Sequence, residues 1–150
     1  MLKLIKTDSN NLDFQHLVAQ LDADLRLRDG EDNAFYAQFN KITLMKYAVV
    51  AYDADETPVG CGAIKAFSDD AMEVKRMYVL PEKRGHNIAS TVLKCLENWT
   101  KELNYAKTVL ETGQKQPEAI ALYKKNGYVV VPNYGQYVGI ENSICFEKNL

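Results

Sequence analysis

Apolar and polar side chains alternate over Leu2 to Thr7 (LKLIKT), then give way to Phe14, Leu17, Val18, Leu21 and Leu25, spaced as one face of a helix. The change of period predicts a strand followed by a helix, with Asn10 or Asn11 as its cap and Gly30 as its stop. Ala34 to Phe39 reads as a short second helix behind Asn33, with Phe35 and Phe39 one turn apart. Tyr47 to Tyr52 (YAVVAY) and Val59 to Phe67 read as two strands of a hairpin around ADETPV. After the turn Ser68-Asp69-Asp70, Met72 to Leu80 continues the meander. Ile88, Val92, Leu96, Trp99 and Leu103 form the stripe of a long helix. Lys107 to Glu111 is a short β-prone run, and Pro117 and Gly127 bracket a last helix. Tyr128 to Val131 and Ser143 to Glu147 close the chain as strands.

This order predicts an α+β fold: a central mixed, mostly antiparallel sheet with helices on both faces, formed by residues 1–150 as one domain. If the strands flanking the long helix are parallel neighbours, the connection between them is a right-handed crossover. A formal net charge of -2 argues against a polyanion-binding surface, so nucleic acid is not an expected partner. The longest apolar runs are too short to span a bilayer, and MLKLIKTDSN does not resemble a secretory signal, so a cytoplasmic protein without a membrane partner is expected. Cys61, Cys95 and Cys145 are odd in number and lack a Cys-x-x-Cys pair, which points to reduced packing residues. With only His16 and His86 present, no metal site is expected.

The candidate chemistry lies where the third meander strand turns into the long helix, at Pro81 to Ser90 (PEKRGHNIAS). A helix amino terminus offers unpaired N–H groups and partial positive charge to an anion. Gly85 permits close approach, Lys83 and Arg84 add charge, and the hydroxyls of Ser90 and Thr91 are available from the first turn. A phosphate or pyrophosphate would suit such a turn; a solvated loop leading into a helix explains the same composition equally well.

MEVKRMYVLPEKRGHNIAS, LETGQKQPEAIALYKKNGY and the preceding meander together resemble the GNAT superfamily of acyl-CoA-dependent N-acetyltransferases over nearly the whole chain. In register with that family's pyrophosphate signature, Arg84 and Ala89 match, while Asn87 stands where the signature has Gly. Asn tolerates left-handed backbone angles, so the departure is mild, and Asn87→Gly is expected to bind acetyl-CoA at least as well.

The resemblance implies the GNAT fold, acetyl-CoA as acyl donor and a primary amine of a small molecule or peptide as acceptor. It implies that Arg84, Gly85, His86, Asn87, Ile88, Ala89 and Ser90 hold the pyrophosphate, and that the main chain of Met77, Tyr78 and Val79 pairs with the pantetheine arm. The Met77 N–H would then meet the thioester oxygen as charge develops there. Glu73 aligns with a catalytic glutamate of some members; strict alternation puts it on one face with Lys75 and Met77, and a structural pairing with Lys75 or Arg76 explains it as well. Tyr123 matches the tyrosine that protonates the departing sulfur, or is a core aromatic beside Ile120. Gln116 replaces a coenzyme-contacting Asn, or only starts a helix.

The acceptor is expected across the sheet, near the first two helices and NYGQYVGIENS. Asp22, Asp24, Asp29, Glu31 and Asp32 could attract an amine there or form a solvated face. Tyr134, Gln136 and Tyr137 could line a polar pocket or cover the core. A non-catalytic acyl-CoA-binding module is the competing function, whereas an NTPase would need a G-x-x-x-x-G-K-[ST] run that the chain lacks. A homodimer is a reasonable expectation for a small enzyme.

Overall fold

The structure is a computed structural model and describes residues 2–29 and 45–150. The elements are β1 (Lys3–Thr7), α1 (Leu12–Asp29), β2 (Tyr47–Tyr52), β3 (Pro58–Ala66), β4 (Ala71–Val79), α2 (Ile88–Glu102), β5 (Lys107–Gly113), α3 (Pro117–Lys125), β6 (Val129–Val131) and β7 (Ser143–Asn149). The helix expected over Ala34 to Phe39 and the stop at Gly30 lie outside the described residues. Asn11 is the α1 cap, its Oδ1 accepting the Phe14 N–H at 2.9 Å.

The strands form one sheet in the order β1-β2-β3-β4-β5-β7-β6. Every neighbouring pair is antiparallel except β4 and β5, which are parallel and joined through α2. The mixed, mostly antiparallel sheet expected from the sequence is therefore present.

Period-two alternation sorts β2 between two cores, which is why it reads as an unbroken apolar run. Val49 and Ala51 join Val92, Leu93 and Leu96 of α2, a cluster that also takes in Tyr123 of α3. Ala48 and Val50 join Phe14, Leu17 and Val18 of α1 in a second cluster. α1 thus covers one face, and α2 and α3 cover the other.

Burying polar groups in such a core demands partners. The Tyr128 hydroxyl donates to Glu97 Oε2 at 2.9 Å and stands 2.7 Å from Thr108 Oγ1, while Lys148 Nζ meets Glu97 Oε1 at 2.9 Å. The chain of contacts ties α2 to β5 and β7.

Candidate active site

β4 and β5 pair only at Ala71↔Lys107, Met72↔Thr108 and Glu73↔Val109. Beyond Glu73, β4 stays with β3 while β5 runs on with β7 as far as Gly113↔Ser143. The β3–β4 register slips just beyond the parting: Cys61 faces Tyr78 and Ala63 faces Lys75, so Arg76 and Met77 together stand opposite Gly62. Such a bulge bends its strand and increases the local twist.

Arg76 turns the bulge with φ 61°, a left-handed angle that costs a non-glycine residue roughly 1–2 kcal/mol. Two contacts hold it there. Its Nη1 donates to Asp22 Oδ1 of α1 at 2.8 Å, and its carbonyl accepts from Cys61 Sγ at 3.3 Å. Nη2 is buried and has no hydrogen-bond partner among the described residues.

The extra residue overturns the shared face expected for Glu73, Lys75 and Met77. Val74 packs with α2, so Glu73 and Lys75 point to the other side of the sheet. Met77, past the bulge, returns to the α2 side; a Cβ on Gly62 would meet its Sδ at 2.5 Å and Leu96 Cδ1 at 2.8 Å.

Two cavities open along the parting of β4 from β5. The larger, about 340 Å³, runs from Met77, Tyr78 and Val79 to the turn before α2 and across to α3. Gly85 has φ 85°, and a Cβ there would meet nothing within 4 Å. Its backbone angle, not the close packing of a neighbour, is what asks for glycine. Asn87 caps α2 with φ 63°, the left-handed conformation that asparagine tolerates. Its Oδ1 accepts from Lys125 Nζ at 3.2 Å.

The other polar groups of this turn are largely committed within the fold. Thr91 Oγ1 donates to the Asn87 carbonyl at 2.8 Å, Ser90 Oγ accepts from Asn126 Nδ2 at 3.1 Å, and Lys83 faces Asp53 at 3.5 Å. Arg84 Nε donates to the Val79 carbonyl at 3.0 Å, and its guanidinium lies 5.5 Å from the centre of the Tyr78 ring. His86 is exposed and does not line the cavity. Gln116 caps α3 and borders both cavities.

The smaller cavity, about 110 Å³, takes Glu73 from β4, Glu111 from β5 and Tyr137 from the segment before β7. Glu73 is buried; its Oε2 accepts the Tyr134 hydroxyl at 2.7 Å and its Oε1 lies 3.7 Å from Lys75 Nζ. The structural pairing weighed from sequence is therefore present with Lys75, while Arg76 pairs with Asp22 instead. Burial and then the Glu73 carboxylate push the Tyr134 phenol far above its ordinary pKa. Burial, then Glu111, then Glu73 do the same to Tyr137.

Met77 and Tyr123 border both cavities and mark where they meet. Tyr123 is buried beside Tyr128 and Phe146, so the core-aromatic reading describes its packing. Burial, and then the Glu111 charge, hold its phenol well above the usual tyrosine range. Glu111 was not singled out in the sequence. Its signal was a carboxylate next to the apolar pair Val109 and Leu110, and only the pairing of β5 beside β4 brings it into one cavity with Glu73.

Of the acidic residues considered for the acceptor, Asp22 is engaged by Arg76, Asp24 borders the larger cavity, and Glu31 and Asp32 lie outside the described residues. Among the described residues no helix is long and apolar enough to cross a membrane, and no group of His, Cys, Asp or Glu side chains could hold a metal ion.

The chain is 38% identical over 95 residues to an IAA acetyltransferase of Azospirillum brasilense, covering 63% of this chain and 62% of that protein. Alignments to the curated relatives span between 35% and 62% of those proteins' lengths. A Klebsiella pneumoniae structure assigned as an acyl-CoA N-acyltransferase superposes with a TM-score of 0.84 at 27% identity, over 100% of this chain and 98% of that one. PaiA N-acetyltransferase of Thermoplasma acidophilum, solved with coenzyme A, shares the fold with a TM-score of 0.70 at 19% identity, over 100% and 99% of the two chains. The model of the Acetyltransferase (GNAT) family matches residues 14–128, most of the chain and all of the parting between β4 and β5, and the chain belongs to that family.

Proposed function

We propose that residues 1–150 form one N-acetyltransferase domain that transfers the acetyl group of acetyl-CoA to a primary amine of a small molecule or peptide by direct attack on the thioester. The observation that carries this reading is the meeting of two cavities at Met77 and Tyr123. The larger one fits an extended acyl carrier laid along the free edge of β4, with its anionic end at the turn before α2. The smaller one, with Glu73 and Glu111 in its lining, fits the amine.

In this mechanism Met77 donates its main-chain N–H to the thioester oxygen as negative charge builds there, an interaction worth about 2.7–4 kcal/mol in comparable acyl transfers. An alkyl ammonium has a pKa of about 10.4 and must lose a proton before attack. Glu73 accepts it directly or through water; the amine nitrogen then bonds to the carbonyl carbon and the C–S bond breaks. Tyr123 offers its hydroxyl to the leaving sulfur. Its raised pKa makes hydrogen bonding to the thiolate the main contribution, since complete transfer from such a phenol is more uphill than the ordinary about 2 kcal/mol.

The proposal includes a cytoplasmic location, which reduced Cys61, Cys95 and Cys145 support, and a homodimer, which sedimentation at micromolar concentration would reveal. The deciding experiment is thiol release from acetyl-CoA across a panel of amines, amino acids, polyamines, antibiotics and peptides, with Glu73→Gln and Tyr123→Phe as controls. Turnover that falls in both controls supports the enzyme. Acetyl-CoA binding without turnover on any acceptor supports the binding module instead.

A further inference from the structure

Three cations border the larger cavity near the turn before α2, and two of them come from the turn itself. Lys83 faces Asp53 at 3.5 Å, and Arg84 is drawn back onto the Val79 carbonyl at 3.0 Å and over Tyr78. The third comes from a different element. Lys125, in the last turn of α3, borders the larger cavity and reaches Asn87 Oδ1 at 3.2 Å.

The amide partner matters because it is neutral. It fixes the direction of the ammonium without cancelling its charge, and an ammonium has three donors, so two remain for an incoming anion. Lys125 forms no ion pair with another described residue. The next residue reinforces the placement: Asn126 Nδ2 donates to Ser90 Oγ at 3.1 Å and to the Leu122 carbonyl at 2.8 Å. The end of α3 is thus laced to the start of α2 by two side-chain contacts.

We propose that Asn87 holds Lys125 over the mouth of the larger cavity as a side-chain clamp on the diphosphate of the acyl carrier. The inference rests on the reading of that cavity as the acetyl-CoA site. It gives the asparagine that replaces a signature glycine a task of its own, and it reverses the expectation that Asn87→Gly binds acetyl-CoA at least as well. Glycine keeps the left-handed angle but lets Lys125 go.

Calorimetry on the full chain tests this with two ligands, acetyl-CoA and S-acetylpantetheine at millimolar concentration, the second lacking the diphosphate. Lys125 is exposed, so its replacement leaves the core intact. Lys125→Ala should weaken acetyl-CoA binding about twofold to fivefold at low salt, the upper part of what an exposed charge contact supplies, and less at high salt. S-acetylpantetheine affinity should not move. Asn87→Gly should weaken acetyl-CoA binding too, and the double variant should be no weaker than Lys125→Ala alone. Unchanged acetyl-CoA affinity in Lys125→Ala, or an equal loss for both ligands, overturns the clamp while leaving the acetyl-CoA site standing. A wild-type chain that gives no heat with acetyl-CoA overturns both.

Discussion

Asp22 of α1 meets Arg76 of β4 at 2.8 Å, and the residue it holds is the one non-glycine on β4 with a left-handed backbone. The ion pair therefore braces the bulge just beyond the parting of β4 from β5. Its two ends are unequally sheltered, the Arg76 side chain 2% exposed and the Asp22 side chain 37%.

Asp22→Ala should destabilise the fold by about 1–3 kcal/mol, below the usual cost of breaking a fully buried pair because Asp22 keeps some hydration. The measurement is a urea midpoint with an unchanged m-value. A midpoint equal to wild type means that the bulge stands without this brace.

Gly62→Ala should cost about 1–3 kcal/mol through overpacking, since the added methyl lands on Met77, Leu96 and Val92. It should also depress turnover more than it depresses stability at the assay temperature, because Met77 is displaced. Thermal melting and initial rates on the same preparation separate the two effects. Full activity in a destabilised variant would detach the Met77 side chain from the site.

The buried phenols set an alkaline limit. Burial raises Tyr123, Tyr128 and Tyr137 above the ordinary 10.0, and the Cys61 thiol from 9.0 to about 12. Each group binds its proton more tightly folded than unfolded, so its stabilising effect is complete below the unfolded pKa and shrinks as pH rises. Urea midpoints should hold from pH 7 to about pH 9 and then fall, each group adding up to about 1.4 kcal/mol per pH unit until its folded pKa is passed. A flat profile to about pH 11 contradicts the burial of these groups.

Tyr123→Phe should lower kcat about tenfold or more, the value of a hydrogen bond to a charged sulfur, with the KM for acetyl-CoA little changed. The raised phenol pKa adds a second mark: the ratio of wild-type to variant rate should stay constant to about pH 9.5. A ratio that declines across that range, or an unchanged kcat, removes the hydroxyl from the chemistry.

Most of the frame could be read from periodicity, because α1 and α2 bury the stripes that it marked, Phe14, Leu17 and Val18 on the one and Ile88, Val92 and Leu96 on the other. The continuous run YAVVAY became the doubly buried β2, and Asn11 became the cap of α1. The left-handed turn at Arg76 left no such trace, since alternation encodes faces and not backbone angles, and so Met77 was placed on the wrong side of β4. Asn87 was legible because its type announces a positive φ, but its contact with Lys125 depends on how α3 folds back. Glu111 escaped notice for a similar reason: its place in one cavity with Glu73 depends on how β5 sits beside β4.

Three residue pairs hold β4 to β5, and past them the sheet is in effect two leaves, β1 to β4 and β5 to β7, hinged at Glu73. An extended ligand seated in the opening would act as a missing strand and stitch the leaves together. Occupancy should then be felt far from the chemistry, as slower amide exchange along β5 and β7 and a melting temperature that climbs with ligand concentration.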